Sequence, residues 1–307
     1  MEISAVIPFF NEEENLMPLY KRLKKVLNKI SPYHEMIFIN DGSEDKSEIV
    51  IKKINKNDNK VKLISFSRNF GHMAAIHAGL ANSKGKWVTV LDADLQDPPE
   101  VILKMFKKAQ EGFEVVYGIK TKRKEDIFRR ILFKVYYILL NSILYYKMPL
   151  DSGTFSLLNR KVVDILTEMP ERNKYFSGLR AWTGFRQTGL LYERDKRYKG
   201  KPASLRRLFN LAFDGLLSFS YIPLRISSFL GMIFAALAFI FILIIFILRL
   251  FFQIGIIGWA STISTVLLIG GVQLITLGII GEYLARIYEE VKKRPEYIIK
   301  EKIGIKN

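Results

Sequence analysis

Two aspartates one residue apart, Asp92 and Asp94 in "VLDADLQDPPE", are the side chains here whose type and spacing suit a metal ion. They follow an apolar run that reads as a buried strand, and carboxylates at the edge of a core are costly unless something neutralises them. At a strand end, residues i and i+2 point to the same side, so the pair is expected to converge on one ligand. Hard oxygen donors with no His or Cys beside them suit Mg²⁺ or Mn²⁺ shared with a phosphate. A lone D-x-D is as readily a pair of solvated loop acids, so its surroundings decide.

Those surroundings are a regular alternation. Short β-rich runs occur at "ISAVIPFF", "EMIFIN", "KLISFS", "KWVTVLDAD" and "FEVVYG", with helical stretches over Glu13–Ile30, Lys46–Asn55, His72–Asn82 and Pro99–Gln110. Strand and helix in turn, with short loops, predict a doubly wound α/β domain with a parallel sheet. In such sheets ligands bind beyond the C-terminal ends of the strands. Four polar clusters fall at that rim: Asn11-Glu12, Asp41-Gly42-Ser43, Arg68-Asn69 and Asp92/Asp94. Any one of them is an ordinary turn or helix cap. Together they predict a site. No G-x-G-x-x-G follows the first strand, and "GLANSKGKW" has neither the glycine spacing nor the Ser/Thr of a P-loop.

The 307-residue chain has no cysteine, which excludes disulfides, thiolate metal sites and thiol nucleophiles. Its formal charge of +17 would attract polyanions. Anionic lipid is the better fit than nucleic acid, because the chain also carries long apolar runs. "MEISAVIPFF" does not read as a signal peptide: it lacks a basic start and its apolar run is short.

Beyond residue 125 the texture changes. Asp126–Tyr146 and Ser204–Phe219 mix Arg and Lys with Phe, Tyr, Ile and Leu, as helices lying in a lipid interface do. A core-facing helix with a solvated basic face would have the same pattern. Two membrane spans are expected at Ile226–Phe252 and Thr262–Ile280, joined by the glycine-punctuated "QIGIIGWAS". Basic residues flank the outer ends, Arg225 on one side and Arg286, Lys292, Lys293 and Arg294 on the other, predicting both termini on the cytoplasmic side of the inner membrane. The expected organisation is residues 1–125 for the α/β half with the polar rim, 126–225 for a second half with the interfacial helices, 226–282 for the spans and 283–307 for a basic tail.

The run "PFFNEEENL", "NDGSEDKS", "SRNFGHMAAIHAGL", "LDADLQDPPEVI", "DSGTFSLLNRKVVD" and "YERDKRYKG", ending in two apolar segments, resembles the family 2 inverting glycosyltransferases of GT-A fold. Within them it is similar to the polyprenyl-phosphate branch, the GtrB-type bactoprenol glucosyltransferases and dolichol-phosphate mannose synthases. The resemblance implies a UDP- or GDP-linked sugar as donor, undecaprenyl or dolichyl phosphate as acceptor, a lipid bilayer as partner and a homo-oligomer, a tetramer in relatives. It places Pro8, Asn11, Glu12, Asp41, Arg68 and Asp92 at the nucleotide, with Asp41 on the base or ribose. Asp92 and Asp94 bracket the metal, and Gln96 and Asp97 sit near the donor sugar. Arg194, Arg197, Ser204 and Arg206 meet phosphate near the membrane, with Arg129 as a weaker candidate.

One departure stands out. Relatives often read Asp-Thr-Gly-Asp-Phe where this chain has "DSGTF", so the residue proposed elsewhere as general base is Thr154 here, leaving Asp151 as the conventional candidate. A phosphate monoester has a second pKa of about 6 and is already ionised at neutral pH. It needs positioning and a charge clamp more than deprotonation. Two other readings compete: a processive polysaccharide synthase, whose Q-x-x-R-W motif is missing ("LRAWTGFRQ" has the letters in another order), and a non-catalytic membrane protein that binds sugar nucleotides.

Overall fold

A computed structural model describes residues 1–121, 152–171, 175–195, 222–252 and 258–305. The two interfacial helices expected from the sequence lie outside them, and so do Arg129, Asp151, Arg197, Ser204 and Arg206.

The chain begins as β1 (Ile3–Phe9), α1 (Glu13–Ile30), β2 (His34–Asn40), α2 (Ser47–Asn57), β3 (Val61–Phe66), α3 (His72–Ala81), β4 (Trp87–Val90), α4 (Val101–Gln110) and β5 (Val115–Lys120). Then come β6 (Ser152–Asn159), α5 (Arg160–Glu168), α6 (Phe176–Trp182) and β7 (Gln187–Tyr192). The strands form one sheet in the order β7-β5-β6-β4-β1-β2-β3-β8, where β8 is Ile299–Ile303. The central β4-β1-β2-β3 block is parallel, β5 and β7 are parallel to each other, and β6 runs against both β4 and β5.

β1 and β2 are buried along their whole length, as strands covered on both faces must be. Ile3, Ala5, Ile7 and Phe9 share one core with Leu16, Leu19 and Leu23 of α1 and with Ile102 and Met105 of α4. α1 reaches it because its apolar residues recur at helical spacing. On the opposite face α3 lies close to the sheet: a Cβ on Gly79 would run into Val6 and Ile39. At the N-terminal end of the sheet the buried Glu35 accepts hydrogen bonds from Ser4 Oγ at 2.5 Å and the Lys84 amide at 2.7 Å, and it pairs with Lys62.

A separate unit, residues 211–294, contains α7 (Ile222–Phe252) and α8 (Trp259–Val291), which touch each other. Within α8, Leu268–Val291 is long and apolar enough to cross a membrane, and none of that stretch is buried by protein. Among the described residues it is the one helix that meets both criteria. After this unit the chain returns to the first: β8 pairs antiparallel with β3, in a register running from Leu63↔Ile303 to Phe66↔Ile299.

Candidate active site

The first three polar clusters are laced together by short hydrogen bonds. Asn11, with a φ of 55°, turns the chain out of β1; its amide donates to Ser43 Oγ at 3.0 Å and its Oδ1 accepts from the Glu44 amide at 2.9 Å. The Glu12 amide donates to Ser47 Oγ at 2.9 Å. Pro8 is buried inside β1. Gly42 has a φ of 73°, and a Cβ there would strike the backbone of Arg68 and Asn69, so two rim turns meet main chain to main chain. Asp41, almost fully buried, accepts from the Phe70 amide at 2.7 Å and from the Gly71 amide at 3.1 Å. Burial pushes its carboxyl up, and those two amides only partly offset that. Arg68 folds back with its guanidinium 4.0 Å from the Phe70 ring centroid.

β4 stops at Val90, four residues earlier than the run "KWVTVLDAD" expected as a strand, because its pairing with both β1 and β6 ends there. Asp92 and Asp94 therefore stand on the loop just past the strand end. Leu95 adopts a φ of 61°, unusual for a residue with a branched side chain, while staying buried in the core. That turn lets the Gln96 amide donate to Asp94 Oδ1 at 3.1 Å.

Basic groups surround the pair. His72 Nε2 lies 3.2 Å from Asp92 Oδ1, and the Thr154 hydroxyl reaches the same oxygen at 3.4 Å. Burial pushes the Asp92 carboxyl up, but the charge and hydrogen bond of His72, with Lys120 and Arg194 beyond it, outweigh burial and hold it below the usual carboxylate range. Asp94 behaves in the opposite way: burial, then the charge of Asp92, raise its carboxyl. Two carboxylates whose surroundings push them apart mark a candidate functional site. Their hard oxygens fit a divalent ion. No group of three or more His, Cys, Asp or Glu that could hold a metal ion exists among the described residues.

Asp97 follows on the same loop. It is 1% exposed and accepts from Tyr192 Oη at 2.6 Å and Arg194 Nε at 3.2 Å. The Asp195 amide donates to the Gln96 carbonyl at 3.0 Å, and Arg22 grips both Glu100 (2.7 Å) and Asp195 (3.0 Å). The segment after β7 is thus fastened to the loop after β4. Burial lowers the Arg194 guanidinium, but Asp97 and Asp94 outweigh it, so the net shift is upward and the charge is secure.

Residues 4–166 match the family model "Glycosyl transferase family 2". The chain belongs to glycosyl transferase family 2. This family 2 glycosyltransferase is 42% identical to the uncharacterized glycosyltransferase YkcC of Bacillus subtilis (strain 168), over 100% of this chain and 96% of that one. It is 39% identical to the bactoprenol glucosyl transferase of Shigella phage SfII, over 98% of each. A third relative is the prophage bactoprenol glucosyl transferase homolog of Escherichia coli (strain K12), at 38% identity over 98% of this chain and 99% of that one. Among solved structures, glucosyl-3-phosphoglycerate synthase of Mycobacterium tuberculosis is 18% identical over 71% of this chain and 78% of that chain, with a TM-score of 0.48. At that distance the likeness carries no argument about ligands.

The described residues thus bring Pro8, Asn11, Glu12, Asp41, Arg68, Asp92, Asp94, Gln96, Asp97 and Arg194 to one rim of the sheet. Sequence reasoning passed over His72, Lys120 and Tyr192. Lys120 ends β5 and His72 opens α3, both at that same rim, so extending the rim rule to every strand would have found them.

Proposed function

We propose that this transferase moves a hexose from a nucleotide-sugar to a polyprenyl phosphate at a membrane surface, with inversion at the anomeric carbon. The observation that carries the reading is the carboxylate pair Asp92/Asp94 ringed by His72, Lys120 and Arg194 at the strand rim. A diphosphate with a divalent ion needs both charges in one place. Full-length relatives named bactoprenol glucosyl transferase support the acceptor class.

In this reading Pro8, Asn11, Glu12, Asp41 and Arg68 line the nucleoside pocket. Asp92 and Asp94 would hold Mg²⁺ or Mn²⁺, which supplies positive charge to the leaving diphosphate. Lys120 and Arg194 add fixed positive charge beside it. An acceptor phosphate oxygen forms the new bond to the anomeric carbon, the bond from that carbon to the diphosphate breaks, and the electron pair leaves with the nucleoside diphosphate. Arg197, Ser204, Arg206 and Arg129 are the candidates to hold the acceptor phosphate. Asp151 is assigned to orient them or to take a residual proton.

A two-helix hairpin, with both termini cytoplasmic, is the proposed topology. The return of the chain to the sheet supports it: β8 pairs with β3, so the chain rejoins the first unit after residues 211–294, as it does after a hairpin. The apolar, unburied face of α8 supports a bilayer partner. A homo-oligomer is proposed from the resemblance alone.

The test is sugar transfer by the purified full chain. Labelled UDP-glucose, UDP-N-acetylglucosamine, UDP-galactose and GDP-mannose are offered separately with undecaprenyl phosphate and Mg²⁺ or Mn²⁺. A labelled lipid product from one donor, lost on chelation and with Asp94→Ala, is the expected result. Metal-dependent nucleotide binding with no transfer to lipid phosphate from any donor would overturn it.

A further inference from the structure

The segment that follows α8 lies outside the family match, yet it ends beside the nucleotide side of the rim. The Ser67 amide donates to the Ile298 carbonyl at 3.0 Å, and the β3–β8 register shifts between Ser65 and Phe66. That irregularity brings Tyr297 flat against Phe66: the rings are 5.0 Å apart and only 11° from parallel. Phe66 in turn meets Phe70 edge-on at 5.8 Å, Phe70 carries the Arg68 guanidinium, and the Phe70 and Gly71 amides hold Asp41. An unbroken line of contacts therefore runs from Tyr297 to Arg68 and Asp41, two of the residues assigned to the nucleoside pocket.

We propose that Tyr297 is a positioning residue of the nucleotide site, and that β8 with the residues leading into it completes the pocket by fixing the loop of residues 67–71. The loop needs such support. Ser67, Arg68 and Asn69 are exposed, and Phe66 is the nearest residue of β3 with a core anchor, at 2% exposure. Tyr297 covers that anchor at the sheet edge. It is itself backed by His77 of α3, whose ring lies 6.2 Å away and whose Nδ1 is 2.7 Å from Glu296 Oε2. Further along, Glu301 pairs with Lys52 at 2.6 Å and Lys302 bonds Asn82 at 3.0 Å, so the strand is held independently of the aromatic stack.

This inference rests on the reading of Asp41 and Arg68 as nucleoside contacts, and the experiment separates the two. UDP and GDP, each with Mn²⁺, are titrated calorimetrically into the detergent-solubilised full chain and into three variants. Tyr297→Leu keeps apolar cover over Phe66 but loses the planar stack. It is expected to weaken nucleotide binding about three- to ten-fold, the range an aromatic pair supports, and to raise donor KM in the transfer assay while acceptor KM and kcat hold. Tyr297→Phe keeps the ring and is expected to bind like wild type. Lys302→Ala, at the far end of the strand, is the control for general loosening and is also expected to bind like wild type.

Unchanged binding by Tyr297→Leu would overturn the proposal. So would equal weakening by Tyr297→Phe or Lys302→Ala, which would trace the effect to the hydroxyl or to the strand as a whole. A wild-type chain that binds neither nucleotide would remove the pocket reading itself, a result distinct from a binding wild type with an indifferent variant.

Discussion

Tyr192 places its hydroxyl 2.6 Å from Asp97, tying the last residue of β7 to the loop that carries Asp92 and Asp94. Burial, then the charge of Asp97, raise the Tyr192 phenol, so it remains a donor at any working pH. Tyr192→Phe leaves that buried carboxylate with Arg194 alone, and a hydrogen bond to a charged group is worth about 1.5–3 kcal/mol. A lower midpoint in chemical denaturation is the expected outcome. Retained stability would mean that Asp97 recruits another donor.

Asp94→Asn removes the carboxylate raised by burial and by its neighbour Asp92. Relief of that repulsion should leave the fold as stable as wild type or more so. Transfer should fall by at least about 10²-fold in kcat, as when a charge-stabilising group is lost from a transition state. Paired melting curves and initial rates check it; a parallel loss of both would point to a structural role for Asp94. Metal removal from the wild type should mimic the rate loss but lower the melting temperature, because an ion held only by the folded chain stabilises it.

Gly42→Ala meets two obstacles at once, a φ of 73° and the main chain of Arg68 and Asn69. The strain of a left-handed residue costs about 1–2 kcal/mol before the clash is counted. The two turns must separate, so nucleotide affinity should drop together with melting temperature. Unaltered affinity would show that the pocket does not depend on their contact.

The pH dependence of stability should carry the mark of Glu35. Burial raises its carboxyl, but hydrogen bonds from Lys62, Ser4 and the Lys84 amide more than offset this, and the net shift is downward. A folded-state pKa below the unfolded one contributes stability above the unfolded value, lost as pH falls through the folded one. Thermal melts from pH 7 into the acid range should steepen below the ordinary glutamate pKa, and Glu35→Gln should flatten that acid limb while lowering stability near neutrality. An identical acid limb in the variant would move the effect to other carboxylates.

The alternation of strand and helix up to β5 was legible because burial on both faces forces continuous apolar runs, which are hard to read as anything else. Asp92 and Asp94 were legible for the converse reason, as acids where such a run ends. The role of Asp97 was not, because its partners Tyr192 and Arg194 arrive from about a hundred residues away, after β6 and β7 have been added to the sheet. β8 was passed over although "IKEKI" alternates apolar and charged residues with the period of an edge strand. Five residues in a basic tail gave no hint of which strand they would join.

The pairing of β8 with β3 also sets an order of events during synthesis. β3 is made early, yet its open edge has no neighbour until residues 299–303 leave the ribosome, after α7 and α8 have been translated. For most of its birth the domain carries an unpaired strand edge, the feature of a sheet most prone to pairing with the wrong chain. Synthesis of α7 and α8 thus precedes closure of the sheet, and a chain that stalled before residue 299 would leave that edge exposed.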